Sequence, residues 1–311
     1  MDGTNSGSTG EATWIDLLDP DVTELRRVLP EEIHPSASDR MLAPPRHGDE
    51  PRPRLETHGD HLFGVLVVPT FDEATASVLQ QEIDVLVSRE RMVTVRKTPP
   101  EGEAISLEGV IQGAQRNNAS SGMCLYLLFD DIAEHFLTLI DAFDDGVDEL
   151  EDVVEDWPAG KLRERISSLR HDMLHVRRVL APTRDAARQV LDDRVELEGE
   201  ELFPRAIEIH FADAYDKLLR AADGLDLSRD LLAGVRDYHQ AQVANDQNEV
   251  MKRLTVVASV LLLPTFIVGL YGQNLKGVPE FGFRYGYAWS WAMIVLTTIA
   301  QLIYFRRKKW I

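Results

Sequence analysis

Hydrophobic positions along this chain change rhythm twice. From Trp14 to about Lys97 they fall in short runs: Trp14-Ile15-Asp16-Leu17-Leu18, Leu62 to Val68, Ile83 to Val87 and Met92 to Val95. Runs of this length, rich in branched side chains and bounded by turn formers, predict strands. Arg54-Leu55-Glu56-Thr57 and the run from Leu62 flank His58-Gly59-Asp60-His61, a hairpin pattern. Asp19-Pro20-Asp21 opens a short helix with Val22, Leu25 and Val28 near helical spacing, and Pro30 and Pro35 punctuate it. A small sheet with covering helices is expected.

After Pro99-Pro100 the period becomes helical. Leu125 to Trp157 is an acidic helix whose apolar positions Ile132, Phe136, Ile140, Phe143 and Val147 step by threes and fours. Pro158-Ala159-Gly160 breaks it. A basic helix returns from Leu162 to Leu180 with Leu169, Met173 and Val176 on its stripe, so the two arms form an αα-hairpin. Pro182 is expected to end the second arm, with a short helix from about Arg184 to Glu198. No proline then occurs between Pro204 and Pro264, and apolar residues such as Ala212, Tyr215, Leu219, Leu232 and Val243 recur near helical spacing. This predicts one helix of about 60 residues, roughly 90 Å long. Such a rod needs neighbours along its length, which suggests helices of several subunits about a common axis.

The rod runs into the third pattern. Leu254 to Asn274 carries no charged residue and is long enough to cross a bilayer as a helix. It ends in the polar turn Tyr271-Gly272-Gln273-Asn274. A second apolar span, roughly Tyr285 to Phe305, is followed by Arg306-Arg307-Lys308-Lys309. Lys252-Arg253 precede the first span, whereas the connecting loop holds only Lys276 and Arg284. The positive-inside rule then places both termini in the cytoplasm and the turn outside. The fold class is an α+β membrane protein: a cytosolic α/β domain, a long helical stalk and a C-terminal two-helix transmembrane hairpin. Its expected divisions are a disordered 1–13, an α/β domain at 14–118, hairpin and stalk at 119–250, and the spans with their basic tail at 251–311.

Composition narrows the function. A net charge of −19 argues against a nucleic-acid partner, because Lys and Arg must neutralise phosphates there. The same charge raises the local concentration of cations, although solubility alone also accounts for it. The single cysteine, Cys124, rules out an intramolecular disulfide and fits a reducing compartment. The polar, Gly/Ser-rich start lacks the basic and apolar regions of a signal peptide. No Ser-His-Asp, Cys-His or glycine-rich phosphate-loop arrangement occurs, so no enzyme is expected.

The first span has no carboxylate with which to strip and cage a bare divalent ion. Mg²⁺ dehydrates reluctantly and usually keeps several waters. A neutral ring of carbonyls and amides at Gly272, Gln273 and Asn274 suits capture of an ion with its water shell. Asn248, Met251, Thr255, Leu262, Thr265 and Gly269 share one helix face. Helix–helix packing through small residues accounts for that face equally well. His171 and His175 have the spacing to share a metal, but a solvated surface pair is the plainer reading.

The order of these elements resembles the CorA-type magnesium channels, from roughly Trp14 to the C-terminus. Trp14-Ile15-Asp16-Leu17-Leu18-Asp19-Pro20 is similar to the family's N-terminal start, and Val93-Thr94-Val95-Arg96 to its last-strand motif. Most specific is Asn248-Glu249-Val250-Met251-Lys252 running into Tyr271-Gly272-Gln273-Asn274. The family's signature turn is Gly-Met-Asn, so Gln273 departs from it while Tyr271, Gly272 and Asn274 are kept. The resemblance implies a funnel-shaped homopentamer, multi-pass in the inner (plasma) membrane among lipid, with the first span lining the pore. It implies that the turn captures hydrated Mg²⁺ at the external mouth. Leu254 joins Met251 and Leu262 as an apolar constriction, and Asn248 and Thr265 form polar rings. Asp213 falls on the family's regulatory Mg²⁺ site, and Glu280 resembles its external-loop acid; an exposed stalk aspartate and a solvated loop charge are the plain alternatives. Mg²⁺ would be both cargo and regulator, with Co²⁺ and Ni²⁺ as further cargo. A zinc-transporting branch also varies at the middle of the turn. A Zn²⁺ transporter, proton-coupled, is therefore one alternative, and a non-conducting membrane-anchored scaffold is another.

Overall fold

The computed structural model describes residues 13–30, 33, 35–44, 52–72, 77–99, 102–195, 197, 201–273 and 284–310. Along them run β1 (Thr13–Leu18), α1 (Val22–Val28), α2 (Pro35–Leu42), β2 (Arg54–His58), β3 (His61–Asp72), β4 (Ser77–Val87) and β5 (Arg91–Arg96). The helical part comprises α3 (Glu108–Arg116), α4 (Ser121–Val153), α5 (Ala159–Leu191), α6 (Arg205–Tyr271) and α7 (Gly286–Arg307). The chain divides into two compact units, the first ending at Val235 and the second beginning at Arg236, and the dividing point falls within α6.

The first unit is built on a five-stranded sheet in the order β1-β5-β4-β3-β2. Only β1 and β5 are parallel; the other neighbours are antiparallel. No tight hairpin joins β1 to β5, so side chains must fix their register. Trp14 Nε1 donates to Thr94 Oγ1 at 3.1 Å, and Thr94 Oγ1 donates to Asp16 Oδ1 at 2.8 Å. Arg96 grips the same carboxylate through Nε at 3.0 Å and Nη2 at 2.7 Å. A fork-shaped guanidinium on a carboxylate adds direction as well as strength. Asp21 caps α1 by accepting from the amides of Thr23 and Glu24 at 2.7 and 2.8 Å, and Glu24 Oε2 accepts in return from Asp21 N. Those donated bonds hold the Asp21 carboxyl below its ordinary range.

Both faces of the sheet are apolar. Phe63, Val65, Leu86, Val93 and Val95 pack with Leu25 of α1 and Met41 of α2. Leu62, Leu66, Ile83, Val85 and Val87 join the main core with Leu125, Phe129 and Phe136 of α4. This double cover explains why residues 61–69 of β3 are buried without alternation. Pro35, read from sequence as punctuation after α1, stands first in α2, where its fixed φ suits a helix start.

The acidic and basic arms, α4 and α5, meet as expected, with Lys161 Nζ 3.4 Å from the Trp157 ring centroid beside the turn. One expectation fails here. The second arm does not stop at Pro182 but continues to Leu191, so residues 184–191 belong to it and not to a separate short helix. A proline inside a helix costs about 3 kcal/mol. Val179, Leu180, Ala186, Ala187 and Val190 around it are all buried, and each large one contributes about 1.5–3 kcal/mol, so packing outweighs the break. Thr183 Oγ1 also donates to Val179 O at 2.7 Å.

The N-terminal part of α6 packs on α4. Phe211 contacts Phe129, Phe203 and Tyr126 edge-on, with ring centroids 5.4–5.9 Å apart. Further on, Gly224 allows close approach: a Cβ there would lie 2.8 Å from Ile140 Cγ2. Ser228 Oγ then donates to Asp144 Oδ1 at 2.6 Å. In the second unit, the rest of α6 and α7 are each long and apolar enough to cross a membrane, and α6 passes through Pro264 without ending.

On the α2-covered face of the sheet lies a buried charge cluster. Lys97 Nζ is 2.6 Å from Glu82 Oε1, 2.7 Å from Asp84 Oδ2 and 3.0 Å from the Arg40 carbonyl oxygen. Arg40 Nη2 adds a pair to Glu82 at 3.5 Å. Burial pushes the Asp84 carboxyl up to about 7, with Glu82 acting in the same direction and Lys97 and Arg40 opposing. The folded chain therefore keeps a proton that the unfolded chain has released, and this group's contribution to stability falls as pH rises from the ordinary carboxylate range toward 7. The melting temperature of the detergent-solubilised protein is expected to rise when the pH is lowered from about 8 to about 5.5, with a smaller rise in Asp84→Asn. An equal rise in both proteins, followed by circular dichroism, would contradict this assignment.

Candidate functional site

Two places assemble the residues singled out from the sequence. The first is the membrane-spanning part of α6. Burial on this stretch falls on Val256, Val260, Leu263 and Ile267, which are buried or half-buried. Met251, Leu254 and Leu262 are 58%, 60% and 73% exposed, and Asn248 and Thr265 are exposed with them. At about 100° per residue, Asn248, Met251, Leu254, Leu262 and Thr265 fall within one third of the helix circumference, opposite the more buried side. The Thr265 hydroxyl donates back to Leu261 O at 2.7 Å, as Thr255 does to Met251 O at 2.8 Å. Both hydroxyls thereby satisfy themselves on their own helix while keeping oxygen lone pairs outward.

The covered side of this stretch meets α7 at a polar contact. Gln301 Nε2 donates to Ser259 O at 3.2 Å. Gln301 also lines a cleft of about 470 Å³ with Ser259, Leu262, Leu263, Thr265 and Phe266. A glutamine in an apolar span is visible in the sequence, and its helix partner is not.

At the end of α6, Gly272 N donates to Val268 O at 2.9 Å and Gln273 N to Leu270 O at 3.4 Å. Tyr271 is half-buried, and Gly272 and Gln273 are exposed just beyond the helix. Asn274 and Glu280 lie outside the described residues.

The second place is a groove of about 540 Å³ in the first unit, lined by Tyr126 and Asp130 of α4 and by Asp213, Asp216, Lys217 and Arg220 of α6. Asp213 is exposed on its wall. Lys217 Nζ lies 2.7 Å from Asp130 Oδ1 and 2.5 Å from Glu134 Oε1. Partial burial works against the Lys217 ammonium, but the hydrogen bonds to Asp130 and Glu134 outweigh it and raise its pKa. The Tyr126 phenol is pushed up by burial and by the negative charge of Asp130 and Asp213. Asp130, Lys217 and Tyr126 were not singled out from the sequence. Asp213 and Lys217 are four apart on one helix face, but nothing local points from Lys217 to Asp130. Among the described residues no three His, Cys, Asp or Glu side chains are placed to hold a metal ion.

This combination of a mixed sheet, long helix and two apolar helices has known counterparts. Residues 9–307 match the family described as "CorA-like Mg2+ transporter protein". The chain belongs to that family of membrane transporters for divalent metals. It is 26% identical to the cobalt/magnesium transport protein CorA of Thermotoga maritima, covering 96% of this chain and 83% of the relative. It is 25% identical to the zinc transport protein ZntB of Yersinia enterocolitica, covering 85% and 78%. The solved structure of the CorA magnesium transporter from Methanocaldococcus jannaschii superposes with a TM-score of 0.76 at 23% identity, over 96% of this chain and 91% of that one.

Proposed function

We propose that this chain forms a homopentameric channel that admits Mg²⁺, and with it Co²⁺ or Ni²⁺, across the plasma membrane. The observation that carries this reading is the uncovered face of α6. Met251, Leu254 and Leu262 remain exposed beside Asn248 and Thr265, while the opposite side of the same helix is the more buried one. Five such faces around an axis give a conduit with polar rings at Asn248 and Thr265 and an apolar constriction between them. Apolar rings of this kind gate by excluding water.

Tyr271, Gly272, Gln273 and Asn274 form the external mouth in this reading, where amides and carbonyls hold the ion through its water shell. Glu280 in the following loop attracts cations by its charge. Both termini lie in the cytoplasm, with domain limits at 14–118, 119–250 and 251–311. A potential of 100 mV supplies about 2.3 kcal/mol per elementary charge moved inward, so no nucleotide site is needed to drive entry.

Gating is assigned to the groove at Asp213. Bound there at high internal concentration, Mg²⁺ favours the closed state by linkage. Lys217 already neutralises part of this groove, so the cation must add to a site that holds a built-in positive charge. Gln273 supports a second reading, transport of Zn²⁺, because the zinc-named relative is similar over most of this chain and the turn departs from Gly-Met-Asn.

Uptake into liposomes, with Mg²⁺ and Zn²⁺ supplied separately, tests both readings. Entry of Mg²⁺ is expected for the unaltered protein, and Zn²⁺ entry alone would favour the second. Asn274→Ala is expected to reduce flux to the level of empty liposomes; undiminished flux would remove the mouth assignment. Protection from proteolysis by Mg²⁺ is expected to weaken in Asp213→Lys and to set in at lower Mg²⁺ in Lys217→Met. Identical digestion of all three proteins would exclude the groove from gating.

A further inference from the structure

Helix α5 carries a second place where a metal ion fits, on different elements and with different chemistry. His171 and His175 are four apart, which sets them one above the other on a helix face. Their ring centroids lie 4.1 Å apart with the planes tilted by 56°. Metal–nitrogen bonds of about 2.0–2.1 Å at an open angle put two chelating imidazole centroids about 5 Å apart. A modest turn of both side chains covers that difference without moving the helix.

Beside the pair stands Asp172, half-buried, with Oδ2 shielded from solvent and without a hydrogen-bond partner. A dication held by the two imidazoles supplies positive charge next to this carboxylate. No third side chain among the described residues completes a metal cage, so water fills the remaining positions. Binding is then reversible rather than structural.

We propose that His171 and His175 chelate a divalent transition metal of the Zn²⁺, Ni²⁺ or Co²⁺ class. Imidazole suits these ions, whereas Mg²⁺ demands oxygen ligands and keeps its water. The pair therefore distinguishes among the cations that reach the cytosolic side. It responds to the transition metals and ignores Mg²⁺.

The test is Zn²⁺ titration of the purified full-length protein in detergent by isothermal calorimetry, with Mg²⁺ in excess to occupy oxygen-rich sites. The unaltered protein is expected to bind one Zn²⁺ per chain that His171→Gln and His175→Gln each weaken by about tenfold or more, because the second ligand acts at high effective concentration. His135→Gln, a lone histidine on α4 paired with Asp131, serves as the control and is expected to leave that binding in place. Zn²⁺ is also expected to raise the melting temperature of the unaltered protein more than that of either pair variant. Circular dichroism and gel filtration establish that each variant is folded. Equal Zn²⁺ affinity in the unaltered protein and in folded His171→Gln and His175→Gln would overturn the site, as would displacement of the bound Zn²⁺ by Mg²⁺. Loss of this binding is read independently of flux, so failure of the channel reading and failure of the histidine site are separate results.

Discussion

Hydrocarbon offers the peptide backbone no hydrogen-bonding partner, so a chain that enters it must bring a complete internal ladder. In this protein α6 meets that demand by staying helical from Arg205 to Tyr271. Everything else is arranged around the consequence. A helix of that length has an apolar side at every level, and each level finds a different cover. Near its start, Phe211 sits in an aromatic cluster from α4 and the segment before α6. Further along, Gly224 and Ser228 bring it against Ile140 and Asp144 of α4. In the second unit its half-buried side meets α7 through Gln301, and its other side is exposed.

The same economy of cover explains the sheet. Strands β3 and β4 are apolar on both sides because helices lie on both, and this double burial raises the energetic stakes of any polar residue placed there. Glu82, Asp84 and Lys97 are tolerated as a group: each alone would be an uncompensated buried charge, which costs several kcal/mol. The Asp16–Arg96 pair with Trp14 and Thr94 is less buried and serves a geometric purpose, fastening the one parallel strand to its neighbour.

Local pattern made much of this readable. The hairpin at His58-Gly59-Asp60-His61, the cap at Asp21 and the unbroken α6 all follow from short-range chemistry. The two stretches named for family likeness, around Trp14 and around Val93, prove to be adjacent strands joined by the Asp16 network, a contact that spacing alone could not announce. Pro182 misled because proline's local penalty is visible in sequence, while the packing that outweighs it comes from residues distant in the chain. The Lys217–Asp130 pair was hidden likewise, since its partners are separated by 87 positions. The face of α6 from Asn248 to Thr265 was legible from helical periodicity, and its residues are exposed. Asn274 and Glu280 lie outside the described residues.

The amide of Gln301 reaches the carbonyl of Ser259, and Pro264 withholds the amide that Val260, the next residue, would have used. A loosened rung and an outside tether thus occupy the same turn of α6. Bending is cheapest where a rung is missing, yet here any bend must drag the neighbouring span along. Helix α7 thus acts as a splint on the weakest point of α6.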